Sequence, residues 1–156
     1  MKRFIIFAII FSLFIPFAGQ AQAPVPLLTD VPLVSIKRID VDLSEQRLRY
    51  YFGDVEVASI LISSGLRATP SPQGEFAIKR KLPLVLYRGT NRDGSIYNYP
   101  RTKWNLNFTG RYYIHGAYWH NNFGHPMSHG CINVAYKDME QLYNFAEVGT
   151  RVTIHE

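Results

Sequence analysis

Cysteine is nearly absent: Cys131 is the only one in 156 residues. A lone thiol cannot pair within its own chain, so it is an apolar filler, a link to another molecule or a reactive group. There is no C-x-x-C pair and no H-x-x-x-H helix, so the common layouts for a zinc site are missing and no metal is expected. Charge is sparse, at 19% Asp, Glu, Lys and Arg, and the basic residues never cluster densely. That argues against nucleic acid as a partner, and Lys37-Arg38 and Lys79-Arg80-Lys81 read as solvated strand ends. The apolar run from Phe4 to Ala18 is broken by Ser12 and Pro16 and falls short of the ~20 residues that a spanning helix needs. Internal repeats and low-complexity tracts are absent as well.

What the N-terminus does have is a basic start, Lys2-Arg3, then that apolar run, then small residues in "AGQAQA". This is the layout of a secretory signal peptide over residues 1–23. Ala21-Gln22-Ala23 fits the A-x-A pattern, with cleavage after Ala21 the alternative because Pro24 is a poor first residue. The expected product is exported, to the periplasm or the cell wall and extracytoplasmic space, and touches the membrane only transiently through the signal peptide. No cysteine lies near the cut, which argues against a lipid anchor. Without Lys2 and Arg3 the formal charge of +5 falls by two to +3, which suits an anionic envelope surface. About 133 residues remain, enough for one domain with a core.

Residues 24–34 carry most of a proline-rich extended lead-in. From Ser35 the pattern turns to strands: "SIKRIDVDL", "QRLRYYF" and "VEVASILIS", with Gly53-Asp54 as a hairpin turn, predict a three-strand meander. A loop rich in glycine and proline, "SSGLRATPSPQG", leads to a strand at Glu75 to Lys79. The polar, aromatic stretch from Tyr87 to Gly110 reads as a long loop. Its Tyr97, Tyr99, Trp104 and Phe108 argue against disorder and either pack over a core edge or form a substrate-covering lid. "RYYIHG" is a short strand ending at His115. "YKDMEQLYNFAEV" places Met139, Leu142, Tyr143 and Ala146 at helical spacing, Gly149 is the expected C-cap, and "TRVTIHE" closes as a strand. The fold class is therefore mainly β, with sandwich or barrel-like mixed sheets and one principal α-helix near the C-terminus.

Four of the five histidines, His115, His120, His125 and His129, lie just before Cys131. Nucleophilic catalysis asks only that an imidazole lower the thiol pKa and that a third group orient the imidazole. His115 at a strand end, followed by Gly116, can be held in that way. Gly130 would let backbone N–H groups approach a developing oxyanion. His120 and His125 read as loop residues and His155 as a surface residue near the terminus.

The stretch "IHGAYWHNNFGHPMSHGCINV" resembles the signature of the L,D-transpeptidase catalytic domain, the YkuD-type domain. The matching positions are His115-Gly116, then Ser128, His129, Gly130, Cys131, Ile132 and Asn133. "SSGLRATPSPQGEFAI" is similar to the family's Ser-x-Gly…Thr-Pro-x-Pro-x-Gly-x-Phe segment, "DLSEQRLRYY" to its opening hairpin, and "YKDMEQLYNFAEVGTRVTIH" to its closing helix and strand. The likeness covers residues 35–155, with a spacer between His115 and Ser128 at the short end of the family's range.

The resemblance implies a YkuD-like fold for residues 35–156. It implies Cys131 as nucleophile, His115 as general base oriented by the Gly116 carbonyl, and His129 as a pocket-shaping residue that assists proton transfer. Amides around Gly130 and Cys131 would form the oxyanion hole, with help from Tyr112 or Tyr97. Tyr97, Trp104, Tyr112, Ser128 and Asn133 are candidates for substrate contact, Ser128 and Asn133 more as holders of the turn around the thiol. No cofactor is implied. The implied partners are peptidoglycan stem peptides as donor and acceptor, or an envelope protein as acceptor, with no nucleic acid. The implied reaction is acyl transfer from a stem tetrapeptide through a Cys131 thioester, with loss of D-alanine. L,D-carboxypeptidase action, protein anchoring, a sortase-like enzyme and a catalytically idle wall-binding module are the alternatives. Carbapenems, as mimics of the donor, are expected to acylate Cys131.

Overall fold

The computed structural model describes residues 36–91 and 93–156. The expected signal peptide and the whole of the lead-in lie outside the described residues. Nine strands form one mixed sheet: β1 (Lys37–Asp42), β2 (Arg47–Phe52), β3 (Val55–Ser63), β4 (Gly74–Ala77), β5 (Arg80–Thr90), β6 (Ile96–Thr109), β7 (Tyr112–Ala117), β8 (Ile132–Ala135) and β9 (Arg151–His155). Among the described residues one helix, α1, spans Tyr136–Phe145. Strand order is β4-β9-β1-β2-β3-β8-β7-β6-β5. The expected mainly β fold with a single helix is what the chain adopts. The sheet curls, because β4 near one end meets β6 near the other: Phe76 packs edge-on against Phe108 with ring centroids 5.2 Å apart.

The opening meander follows from strict alternation. Ile39 and Val41 on β1, Leu48 and Tyr50 on β2, and Val152 and Ile154 on β9 all turn inward and are buried. Strands β7 and β8 differ: they lie side by side in parallel at the middle of the sheet. Ile114, His115, Gly116 and Ala117 are consecutive and all buried, as expected for a strand covered on both faces. Helix α1 lies over β6, β7 and β8, sealing them with Met139 and Leu142.

Three expectations need correction. The stretch from Tyr87 to Gly110 is no loop: it is most of a long β5–β6 hairpin, with the Asn91 N–H donating to Ser95 O at 2.7 Å just past the paired strands. Its polar residues alternate with aromatic ones because the hairpin has a solvent side. The strand expected at Glu75 to Lys79 starts and ends earlier, at Gly74–Ala77. The helix stops at Phe145, capped by the Ala146 N–H donating to Leu142 O, so Gly149 is no C-cap. Gly149, at φ +95°, instead shapes the turn into β9 while its N–H bonds Ile78 O at 2.8 Å.

One buried side chain ties the meander to the rest. Gln46 has φ +50°, unusual for a residue with a Cβ, and is buried. Its Nε2 donates to Leu43 O and to Ser64 Oγ, each at 2.7 Å, and its Oε1 accepts from Ser64 N at 2.9 Å. Gln46→Ala leaves the Ser64 amide unpaired in the interior. The expected cost is roughly 2–3 kcal/mol, read as a lower urea midpoint with an unchanged m-value.

Candidate active site

Two adjacent strands bring the principal side chains together. The parallel register pairs Ile114 with Ile132 and His115 with Asn133, so Cys131, one residue before β8, is delivered beside Tyr113 at the start of β7. Ile132 and Val134 point into the core at 0% exposure. Cys131 and Asn133 instead line a cleft of about 720 Å³, together with His115, Ser128 and His129.

The turn that presents the thiol is built around Ser128. Its hydroxyl donates to Cys131 O at 2.5 Å and accepts from Gly130 N at 3.0 Å. Its backbone N–H bonds Ser64 O, and its carbonyl accepts from Leu66 N, each at 2.9 Å. The Gln46 network therefore reaches the thiol turn through Ser64. Ser128 thus ties the two sides of the turn together. The Gly130 N–H, expected to help an oxyanion, is committed to the Ser128 hydroxyl.

Gly130 sits at φ +109°, where side chains are rarely tolerated, and a Cβ there would lie 2.5 Å from Tyr112 Cε1 and 3.1 Å from Pro70 O. Gly130→Ala must move the turn or the tyrosine. The expected result is a loss of about 2 kcal/mol or more in stability and a slower reaction of Cys131 with thiol reagents. Chemical melts and alkylation rates read the two effects separately.

His115 is buried, and its Nδ1 lies 3.1 Å from Gly116 O. A carbonyl can only accept, so Nδ1 carries the proton and Nε2 keeps its lone pair. Burial pushes the imidazole down to about 4, against the upward pull of that carbonyl, with His120 adding a further downward push. At neutral pH the ring is a neutral, free base. Any residue could supply that carbonyl, but position 116 needs glycine because a Cβ would stand 2.5 Å from the Tyr136 ring.

The thiol departs from expectation. Burial pushes Cys131 up to about 11, outweighing the Tyr113 N–H and the Arg111 charge that draw it down. A neighbouring imidazole was expected to lower this value. A desolvated neutral histidine offers no positive charge to do so, and the resting pair is thiol and imidazole, both uncharged.

The β5–β6 hairpin forms one wall of the cleft. Tyr87 stacks on the His115 ring at 4.5 Å, and its hydroxyl donates to Asn105 Oδ1 at 2.9 Å. Tyr97 stacks on the exposed His129 at 4.9 Å, and Tyr99 lies flat on Trp119 at 3.9 Å. The tip of the hairpin thus rests on the loop that carries the thiol. Trp104 and Tyr112 do not line the cleft. Trp104 packs on Tyr136 and the core, and Tyr112 lies against Gly130. Phe108 is core. His125 is exposed, while His120 is half-buried with Nε2 3.1 Å from the Asn133 amide. His155 pairs with Asp40 at 3.2 Å on the far edge.

Sequence reasoning missed Tyr87, Trp119 and Thr69 as cleft residues. Tyr87 has no motif around it, and only the pairing of strands brings it to His115; Trp119 lies in the spacer of the signature stretch, just past the end of β7. Among the described residues, no group of three or more His, Cys, Asp or Glu could hold a metal ion.

The family model for the L,D-transpeptidase catalytic domain, YkuD, matches residues 36–154. The chain belongs to this family. A putative L,D-transpeptidase YkuD from Bacillus licheniformis is 33% identical, over 75% of this chain and 64% of that protein. A probable L,D-transpeptidase ErfK/SrfK from Escherichia coli K12 is 29% identical, over 92% of this chain and 51% of that protein. The chain thus spans between half and two thirds of the length of these curated relatives. The solved catalytic domain of an Enterococcus faecium L,D-transpeptidase superposes with a TM-score of 0.67 at 31% identity, over 76% of this chain and 96% of that one. In this L,D-transpeptidase domain Cys131 and His115 line the same cleft.

Proposed function

We propose that the protein is an exported cysteine L,D-transpeptidase that takes an acyl group from a peptidoglycan stem tetrapeptide and gives it to an amine. The observation that carries this reading is the pairing, in one cleft, of the lone thiol with a buried neutral imidazole whose Nε2 is free. Cys131 attacks the carbonyl of the third residue while Nε2 of His115 takes the thiol proton, so no thiolate need exist beforehand. The C–N bond to the terminal D-alanine breaks, and His115 returns the proton to the leaving amine. An acceptor amine then attacks the thioester, giving its proton to His115. The C–S bond breaks and Cys131 is re-protonated.

His129 shapes the cleft mouth with Tyr97, and the Gly116 carbonyl stabilises the protonated form of His115 as it appears. The acceptor is the side-chain amine of a third-position diamino acid in a neighbouring stem, giving a cross-link between two third positions. The signal-like N-terminus and the mild positive charge support work in the envelope. No step calls for a cofactor.

Incubation with a disaccharide-tetrapeptide, followed by mass spectrometry of the products, tests this. The expected products are free D-alanine and a cross-linked dimer. Tripeptide without dimer would make the protein a carboxypeptidase. No release of D-alanine at all would contradict the donor assignment.

A further inference from the structure

His120 lies outside the family signature, yet it touches a signature residue. Asn133 is 2% exposed and lines the cleft beside Cys131. Its side-chain partner among the described residues is His120, whose Nε2 lies 3.1 Å from the end of the carboxamide assigned as Nδ2. The other ring nitrogen is also engaged: the Asn122 backbone N–H points at His120 Nδ1 at 3.3 Å.

That N–H is not free to turn away. The Asn122 carbonyl accepts from Ser63 Oγ at 3.1 Å, and Gly124 N bonds Ile62 O at 2.8 Å, which fixes this part of the loop to β3. A backbone N–H can only donate, so Nδ1 must be the bare nitrogen. A neutral imidazole carries one N–H, so Nε2 holds it. Burial lowers His120 below the ordinary imidazole range, which keeps the ring neutral at neutral pH. The two ends of a carboxamide have the same shape, so bonding decides which end faces which partner. An Nε2–H needs an acceptor, and the acceptor is Oδ1.

We infer that Asn133 gives its oxygen to His120 and its NH2 to the cleft, where it donates a hydrogen bond to a peptide carbonyl of the acyl donor. His120 is the positioning residue that holds the amide in this sense. No buried polar side-chain atom lacks a partner among the described residues, so the end turned away from His120 is the end that reaches the cleft. The cleft also holds the nucleophile, two residues earlier, so the donor stands next to the carbonyl under attack. The part of the inference that names the carbonyl rests on the proposed function; the orientation of the amide does not.

The test has two arms. Long-range ¹⁵N–¹H spectra of the labelled protein are expected to show His120 protonated at Nε2, and protonation at Nδ1 would overturn the assignment. In the kinetic arm, His120→Phe is expected to lower kcat/KM by about tenfold, the equivalent of one ordinary hydrogen bond, and His120→Gln to recover most of it by supplying an N–H in the same place. Asn133→Asp keeps an acceptor toward His120 but removes the donor from the cleft, and is expected to lose at least about tenfold with a normal melting curve. Equal losses in the Phe and Gln variants, or full activity in Asn133→Asp, would contradict the inference. If the unaltered protein fails to turn over the stem peptide, the proposed function falls while the spectrum still decides the tautomer.

Discussion

Cys131→Ala is expected to abolish release of D-alanine, a loss of roughly a thousandfold or more in turnover, and to leave the fold intact. The thiol is the only sulfur nucleophile in the chain, so no second residue can take its place. Cys131 is not one of the buried core side chains, so stability is expected to shift by less than about 1 kcal/mol. The Ser128 hydroxyl bonds the backbone carbonyl of residue 131, not its side chain, so the turn survives the change. Parallel thermal melts and product assays separate chemistry from folding. Residual D-alanine release near the unaltered rate would mean that another group is the nucleophile.

The second large effect belongs to His115. His115→Asn can keep a donor toward Gly116 O but has no basic nitrogen, and the expected loss is about a hundred- to ten-thousandfold. The pH profile is the sharper readout. In the unaltered protein the imidazole loses its proton above about 4 and the thiol keeps its proton to about 11, so both partners are in the required form over a broad plateau between. In the variant, the reaction depends on the small fraction of thiolate. Because burial raises the folded thiol pKa, that fraction grows about tenfold per pH unit toward 11, and residual activity climbs with it. A flat profile for the variant would show that His115 is not the base.

Most of the site was legible because the signature is local in sequence. Ser128, Gly130, Cys131 and Asn133 lie within six residues, and His115-Gly116 lies on a strand, which runs past the expected end at His115 to Ala117 and whose parallel pairing with β8 does the rest. The meander was legible for the same reason: Leu48 and Tyr50, or Val152 and Ile154, alternate with polar neighbours. The β5–β6 hairpin was not, because Pro100 and the positive φ of Arg101 and Trp104 interrupt its alternation, and its turn is as polar as any loop. Tyr87 was invisible, since stacking on His115 is a tertiary contact between residues 28 positions apart. The raised thiol pKa was equally out of reach. Composition suggests which groups are neighbours, but desolvation depends on how completely the folded chain excludes water from them.

The most direct test of the chemistry is intact-mass measurement of the protein after brief incubation with a tetrapeptide donor whose third-residue side-chain amine is blocked by acetylation, so that no acceptor amine is present. The expected result is an adduct of the donor mass less one alanine, mapped to Cys131 by proteolysis and missing from Cys131→Ala. Folded protein with a free thiol that forms no adduct and releases no D-alanine would contradict the assignment of Cys131 as an acyl-accepting nucleophile.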